Sequence, residues 1–210
     1  MNLLFYGPPG SGKSFMAKVI AHKLDKPLLQ KRGSSLKGPY VGETEILINR
    51  AFQEAEDLDA VLVIDEIDSF LFSRDLADRS WEVGMVNELL QCMEDFKGIL
   101  IATTNRFESL SKAALRRFTF KVGFKPLTRE GNLVFYEKIL ASLTTTSLDQ
   151  RTKERLIKLT GLTPGDFKVV KDRYSLLPPE KVTPKDLVEA LRAELHAKDA
   201  HEGRKTAMGF

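Results

Sequence analysis

Eight residues near the start of the chain, GPPGSGKS from Gly7 to Ser14, have the types and spacing of a phosphate-binding loop. Glycines allow a sharp turn in which successive amide groups point into one concavity at the start of a helix. Lys13 is placed to reach the outer phosphates of a nucleotide, and the Ser14 hydroxyl is a ligand for Mg²⁺. The sequence therefore predicts a nucleotide-phosphate site formed by Gly7, Pro8, Pro9, Gly10, Ser11, Gly12, Lys13, Ser14 and Phe15.

Two adjacent carboxylates close the hydrophobic segment VLVIDEID, residues 61–68. Its β-branched residues predict a buried strand, and open α/β folds bind ligands at the carboxyl edge of the sheet. Asp65 is suited to hold Mg²⁺ through the water shell of the ion, and Glu66 to orient and polarise an attacking water. An acidic start to a helix is the structural alternative. The upstream phosphate loop favours the chemical interpretation, and hydrolysis over transfer to a small substrate.

The segment ATTN, residues 102–105, ends another predicted strand. Asn105 is therefore expected at the same sheet edge, between the strand of the phosphate loop and the strand of Asp65. A neutral amide there can hydrogen-bond the terminal phosphate or the attacking water without adding negative charge. An Asn that only forms a buried turn is the alternative, and this segment alone does not choose between them.

These residues require a parallel sheet covered by helices, and the strand and helix patterns alternate as that fold demands. Strands are predicted at 3–6, 27–32, 60–65, 98–105 and 118–124. Helices are predicted at 13–24, 43–56, 81–96 and 111–116. The apolar positions of the first two helices are Phe15, Val19, Ile20, Leu24, Ile46, Ile48, Ala51, Phe52 and Ala55.

The pattern changes near residue 125. Beyond it only helices are predicted, near 129–142, 150–159, 165–174 and 184–197, with Pro and Gly between them. We therefore expect an α/β nucleotide-binding domain over 1–125, with a parallel sheet in three αβα layers. A small all-helical domain is expected over 126–200, and a tail without periodicity over 201–210.

The composition limits the classes of function. The 210 residues are 42% hydrophobic and 29% charged, with a net charge of +3 and basic residues interleaved with acidic ones. This balance does not favour a nucleic-acid surface. No apolar run could cross a membrane and no signal-peptide pattern is present, so a soluble cytoplasmic protein is expected. The one cysteine, Cys92, lies among apolar helix positions and is expected to pack in the core.

Taken in order, these segments resemble the AAA ATPases, a family of P-loop NTPases in the broader AAA+ class. GPPGSGKS is similar to Walker A, VLVIDEID to Walker B, and ATTNRFESLSKAALRRF to the second region of homology. TGLTPGDF, residues 160–167, resembles the lid segment that lies near the adenine, which implies a nucleotide contact at Gly165. RSWEV, VNELL and ALRRF together resemble bacterial members. The resemblance implies ATP and Mg²⁺ as cofactors and a helical lid at 126–200.

Two further assignments follow from the resemblance alone. Arg116 and Arg117 in ALRRF are similar to arginine fingers, which in this family complete the ATP site of a neighbouring subunit. The family usually has two more residues between its paired arginines, and Arg117, next to Phe118, is the preferred finger with Arg116 second. Tyr40 and Val41, in YVGETEILINRAFQEAE, resemble the aromatic pore loop, which in a ring would grip an extended polypeptide.

The resemblance thus implies an ATP hydrolase that forms a homo-oligomeric ring, six-fold by analogy, and remodels or unfolds a protein substrate. The chain begins almost at its first strand, so the family's N-terminal linker and adaptor domain are expected on another chain or a removed segment. Two other functions stay open: a nucleotide-controlled interaction module with little turnover, and a DNA-directed motor. The Tyr-Val-Gly loop and the lack of a basic stripe disfavour the DNA-directed motor.

Overall fold

The computed structural model describes residues 1–40, 42–71 and 80–207. The chain divides into two compact units, each with its own hydrophobic core. One unit comprises Met1–Gly7 and Lys13–Phe124, and the other comprises Pro8–Gly12 and Lys125–Phe210.

The first unit is built on a five-stranded parallel sheet. Its strands are β1 (Asn2–Tyr6), β2 (Leu28–Arg32), β3 (Val61–Asp65), β4 (Ile99–Thr104) and β5 (Phe120–Gly123), in the order β2-β3-β4-β1-β5. The helices between them are α1 (Lys13–Lys23), α2 (Glu43–Asp57), α3 (Ser80–Asp95) and α4 (Lys112–Arg116). The predicted strands and helices, and the parallel α/β fold, are confirmed.

Both faces of the central strands β3 and β4 are buried, which explains why these strands are hydrophobic without interruption. In β3, Leu62 and Ile64 belong to the core that includes residues of α2 and α3. The alternate residues Val61 and Val63 pack with α1 on the opposite face. The sheet therefore lies between two helical layers, as the αβα prediction requires.

The apolar face predicted for α1 is wrong in part. The apolar residues that α1 buries are Ala17 and Ala21, at 0% and 2% exposure, whereas Phe15 is 71% exposed and Leu24 is 47% exposed. Small side chains let the helix axis lie close to the strands, so the alanines and not the largest apolar residues meet the sheet. Ile46 of α2, which was also predicted to face the core, is 65% exposed.

In its described part, the regular secondary structure of the second unit is helical. It contains α5 (Arg129–Phe135), α6 (Gln150–Lys158), α7 (Pro164–Tyr174) and α8 (Pro184–Ala207), and α5 continues into a π-helical turn at Tyr136–Leu140. Buried Phe167, Leu187 and Leu191 are among the residues of its core. Helix α8 ends at Ala207 instead of the predicted 197, because Ala, Lys, Glu and Arg extend a helix without an apolar pattern.

Cys92 packs against the core of the first unit, which confirms its predicted position. Burial, with Glu88 and Asp95 nearby, raises the pKa of the Cys92 thiol to about 11. The thiol is therefore protonated at neutral pH and is a poor nucleophile. In the described part of the chain, no helix is both long enough and apolar enough to span a bilayer.

Candidate nucleotide site

The site lies where three neighbouring parallel strands end. Strand β4 lies between β3 and β1, so the residues that follow these strands emerge at one edge of the sheet. Asp65 ends β3, Asn105 follows β4, and Gly7 follows β1. The predicted position of Asn105, between the strand of the phosphate loop and that of Asp65, is confirmed.

Lys13 is a buried cation at the start of α1, with 7% of its surface exposed. Its ammonium group donates hydrogen bonds to Gly7 O at 2.8 Å and to Asn105 Oδ1 at 2.6 Å. Desolvation lowers the pKa of Lys13, and the carboxylates of Asp65 and Asp68 oppose that shift. A phosphate group would supply the negative charge that favours the protonated form.

Asp65 accepts hydrogen bonds from three side chains. Its Oδ1 accepts from Ser14 Oγ at 2.9 Å and from Thr103 Oγ1 at 2.9 Å, and its Oδ2 accepts from Gln30 Nε2. Ser14 and Asp65 thus present two adjacent oxygen ligands, which suits Mg²⁺, a cation that keeps several waters and takes few protein ligands. Among the described residues no group of three or more His, Cys, Asp or Glu could hold a metal. Waters and phosphate oxygens are the other ligands that Mg²⁺ commonly takes.

Glu66 has a left-handed backbone, with φ 60° and ψ 47°. Few residues other than glycine adopt this conformation, and strained backbone of this kind clusters at functional sites. The Glu66 amide donates to Thr103 Oγ1 at 3.4 Å, and its carbonyl accepts from Ser69 N at 3.1 Å. Its side chain is exposed. The carboxylate is therefore accessible to water directly after Asp65.

The phosphate loop needs glycine for reasons of space as well as conformation. A Cβ on Gly7, where φ is +138°, would lie 2.1 Å from Phe124 O. In the second unit Gly10, at φ +73°, accepts a hydrogen bond from Gly165 N at 2.9 Å through its carbonyl oxygen. A Cβ on Gly165 would lie 2.8 Å from Gly10 Cα. Contact between the predicted lid segment and the loop is therefore direct, backbone against backbone.

Three polar residues of this edge were not predicted. Gln30 of β2 and Thr103 of β4 both contact Asp65. The Thr104 hydroxyl donates to Asp68 Oδ1 at 2.6 Å and accepts from Arg106 N at 2.8 Å. The sequence signal that could have identified these contacts is a pair of consecutive threonines at the end of an otherwise apolar strand, because buried hydroxyls need hydrogen-bond partners.

The remaining predicted residues lie away from these contacts or on the surface. Arg117 Nε is 2.6 Å from Glu94 Oε1, and the Arg117 side chain is 34% exposed. The Nε atom is not in hydrogen-bond geometry, so charge attraction maintains this pair. Arg116 is exposed at the end of α4. Tyr40 is 77% exposed, and Val41 lies outside the described residues.

Comparisons with known proteins show which family this chain resembles. The family model described as "ATPase family associated with various cellular activities (AAA)" matches residues 3–126. The chain is 34% identical to spastin of Ixodes scapularis over 145 residues, which are 66% of this chain and 22% of that spastin. It is 29% identical to spastin of Xenopus tropicalis over 201 residues, 92% of this chain and 33% of that protein.

Another similar protein is proteasome-activating nucleotidase 1 of Halobacterium salinarum. It is 35% identical over 122 residues, which are 54% of this chain and 30% of the nucleotidase. The chain thus spans a third or less of the length of each of these relatives. Among solved structures, the FIGL-1 AAA domain in complex with ADP superposes with a TM-score of 0.70 at 24% identity, covering 97% of this chain and 77% of that one. At this identity the likeness concerns the fold.

Proposed function

This chain belongs to the AAA family of ATPases, whose model matches more than half of it, and we propose that it binds Mg²⁺-ATP and hydrolyses it. One observation carries the proposal. Lys13 and Asn105 are in contact at 2.6 Å, and Ser14 and Asp65 at 2.9 Å, at a single sheet edge beside Glu66. The first unit is then the nucleotide-binding domain, and the helical unit its lid.

Binding of the triphosphate would exchange partners within the site. The Lys13 ammonium would leave the neutral oxygens of Gly7 and Asn105 for phosphate oxygens, where its charge is better stabilised. Asn105 could then donate from its amide nitrogen to the terminal phosphate or to the attacking water. Ser14 and Asp65 would hold Mg²⁺, which neutralises charge on the phosphate oxygens.

Glu66 would act on the water that attacks the γ-phosphorus. Its carboxylate orients the water and accepts a proton from it while the oxygen attacks. The bond between the γ-phosphorus and the bridging oxygen breaks, which releases ADP and phosphate. The exposure of the Glu66 side chain supports this role, because the water must reach it.

Replacing Glu66 by Gln tests the hydrolytic role. The amide cannot accept the proton, so we expect turnover to fall by roughly a hundredfold or more while ATP affinity is retained. Phosphate release and fluorescent-nucleotide titration measure the two quantities. Glu137→Gln, an exposed change on the helical unit, is the matched control and should leave both unchanged. Normal turnover in Glu66→Gln would refute the proposed site.

We further propose that the chain assembles into a homo-oligomeric ring, with six copies, and moves a polypeptide through it. The family resemblance and the 77% exposure of Tyr40 support this step. In the same assay, an unfolded protein should stimulate turnover by the wild-type chain. Tyr40→Ala should keep the basal turnover and lose the stimulation, since only an apolar surface contact is removed. Stimulation that survives the substitution would contradict a gripping role for Tyr40.

A further inference from the structure

Thr103 contacts both acidic residues of the candidate site. It lies in β4 with 4% of its surface exposed. Its hydroxyl donates a hydrogen bond to Asp65 Oδ1 at 2.9 Å. The same oxygen accepts from the backbone amide of Glu66 at 3.4 Å. One buried hydroxyl therefore links the carboxylate of Asp65 to the peptide that carries Glu66.

The Glu66 backbone needs such a contact because its conformation is intrinsically unfavourable. A left-handed residue with a Cβ persists only where its surroundings hold it. Three features adjoin this peptide: the Thr103 hydroxyl, the Ser69 amide on the Glu66 carbonyl, and the fully buried side chain of Ile67. The Thr103 hydroxyl also donates a hydrogen bond to Asp65.

The neighbouring threonine has different partners. Side chains of consecutive strand residues point to opposite faces of the sheet, and the Thr104 hydroxyl contacts Asp68 and the Arg106 amide. The link between Asp65 and Glu66 thus depends on one particular hydroxyl of the ATTN segment.

We propose that Thr103 is a positioning residue for ATP hydrolysis. Its hydroxyl fixes the Asp65 carboxylate and holds the left-handed backbone of Glu66, so that the Glu66 side chain is directed to the attacking water. This inference rests on the proposed catalytic role of Glu66 and adds a residue that acts through it.

Removing the hydroxyl while keeping the side-chain volume tests the proposal. Thr103→Val should lower kcat by about tenfold, the loss typical of one hydrogen bond to a charged or strained group, with the KM for ATP changed less than about twofold. Thr103→Ser restores a hydroxyl and should recover most of kcat. Thr103→Ala serves as a second hydroxyl-free variant if the valine variant does not fold.

Thr152→Val provides the matched control. Thr152 is also a buried threonine, 5% exposed, whose hydroxyl donates to a carboxylate, Asp149 Oδ2 at 2.6 Å, but it belongs to the helical unit. Its replacement should lower the thermal stability and leave kcat unchanged. Thermal unfolding of each variant separates loss of folding from loss of positioning.

A double substitution shows whether Thr103 acts through Glu66. In the Glu66→Gln background, adding Thr103→Val should produce no further loss of kcat. Hydrogen exchange of the Glu66 amide gives a readout independent of turnover, and it should accelerate in Thr103→Val. Wild-type kcat together with unchanged exchange in Thr103→Val would overturn the inference and leave the proposed function intact. Normal turnover in Glu66→Gln would overturn both.

Discussion

At the scale of single residues, the site keeps the charged ammonium group of Lys13 partly desolvated. Nucleotide phosphate would supply the opposite charge that stabilises it. Desolvation lowers the pKa of Lys13, and the carboxylates of Asp65 and Asp68 oppose that shift only in part. The nucleotide-free protein thus keeps this cation at some energetic cost. On binding, phosphate oxygens would offset this cost. ATP affinity therefore depends on whether Lys13 is protonated.

This coupling predicts a pH dependence. The protonated Lys13 binds phosphate, and its pKa in the nucleotide-free protein lies below 10.5. ATP affinity should therefore fall as pH rises above this lowered pKa, with proton uptake on binding. The unfolded chain holds this proton more tightly, so Lys13 also makes stability increase with pH between the lowered pKa and 10.5.

Calorimetric ATP titrations in buffers of different ionisation enthalpy measure the proton uptake. Lys26→Met is the control, since Lys26 is an ion-pair partner of Asp59 outside the site and its loss should leave the profile unchanged. Constant affinity and no proton uptake as the pH is raised to 10.5, the ordinary pKa of a lysine, would contradict this coupling.

At the scale of elements, several hydrogen bonds within the helical unit fix the start of α7. Thr163 caps the helix, with Thr163 N donating to Asp166 Oδ2 at 2.8 Å. Lys198 of α8 contacts the same carboxylate oxygen at 2.5 Å. Gly165 N, on the first turn of α7, then donates to Gly10 O in the phosphate loop. The first turn of α7 thus connects α8 to the backbone of the loop.

Gly165→Ala tests this connection. The added Cβ would meet Gly10 Cα at 2.8 Å, and both groups belong to backbone that cannot rotate away. We expect a loss of about 1–3 kcal/mol in unfolding free energy, typical of overpacking, and weaker ATP binding. Thermal unfolding and nucleotide titration report the two effects.

Gly131→Ala is the matched control for this experiment. Gly131 lies within α5, and its added Cβ would make only ordinary side-chain contacts, from 3.4 Å. The substitution should be neutral or slightly stabilising, because alanine favours the helix more than glycine does. Wild-type stability and ATP affinity in Gly165→Ala would show that the loop tolerates displacement of α7.

At the scale of the whole molecule, the open question is whether one copy completes the site of another. Arg117 is ion-paired with Glu94 of its own chain and is one-third exposed, and Asn2 Nδ2 donates to its carbonyl at 3.1 Å. The backbone at this position is therefore anchored to the first unit while part of the side chain faces solvent. Such an arrangement suits an arginine that reaches a neighbouring copy.

We propose that Arg117 acts on the site of a neighbouring copy, and complementation tests this role. Arg117→Ala should abolish hydrolysis and retain ATP binding, because the charge it removes acts on a neighbour's transition state. Mixing with Lys13→Ala, which is expected to lose ATP binding but keeps Arg117, should restore turnover. Arg116→Ala gives the comparison between the two candidate fingers, and Lys112→Ala on the same helix is the control. Failure of the mixture to recover activity would indicate a site completed within one chain.

Much of the site was predictable from the sequence, because its residues are either close together in the chain or brought together by parallel strand pairing. The Gly7–Ser14 loop is contiguous, and Asn105 could be placed because parallel strands end at one edge. The contacts of Gln30 and Thr103 with Asp65 were not predictable in the same way. They join three strands, and their existence depends on strand order and on which side chains share a face.

The amino-acid sequence by itself determined the alternation of strands and helices, the phosphate loop and the acidic strand end, because periodicity and short motifs are properties of neighbouring residues. Only the tertiary structure decided that alanines and not Phe15 bury the face of α1, that Glu66 is left-handed, and that Thr103 links it to Asp65. Those outcomes depend on close packing and on hydrogen bonds between residues far apart in the chain, which no local pattern encodes.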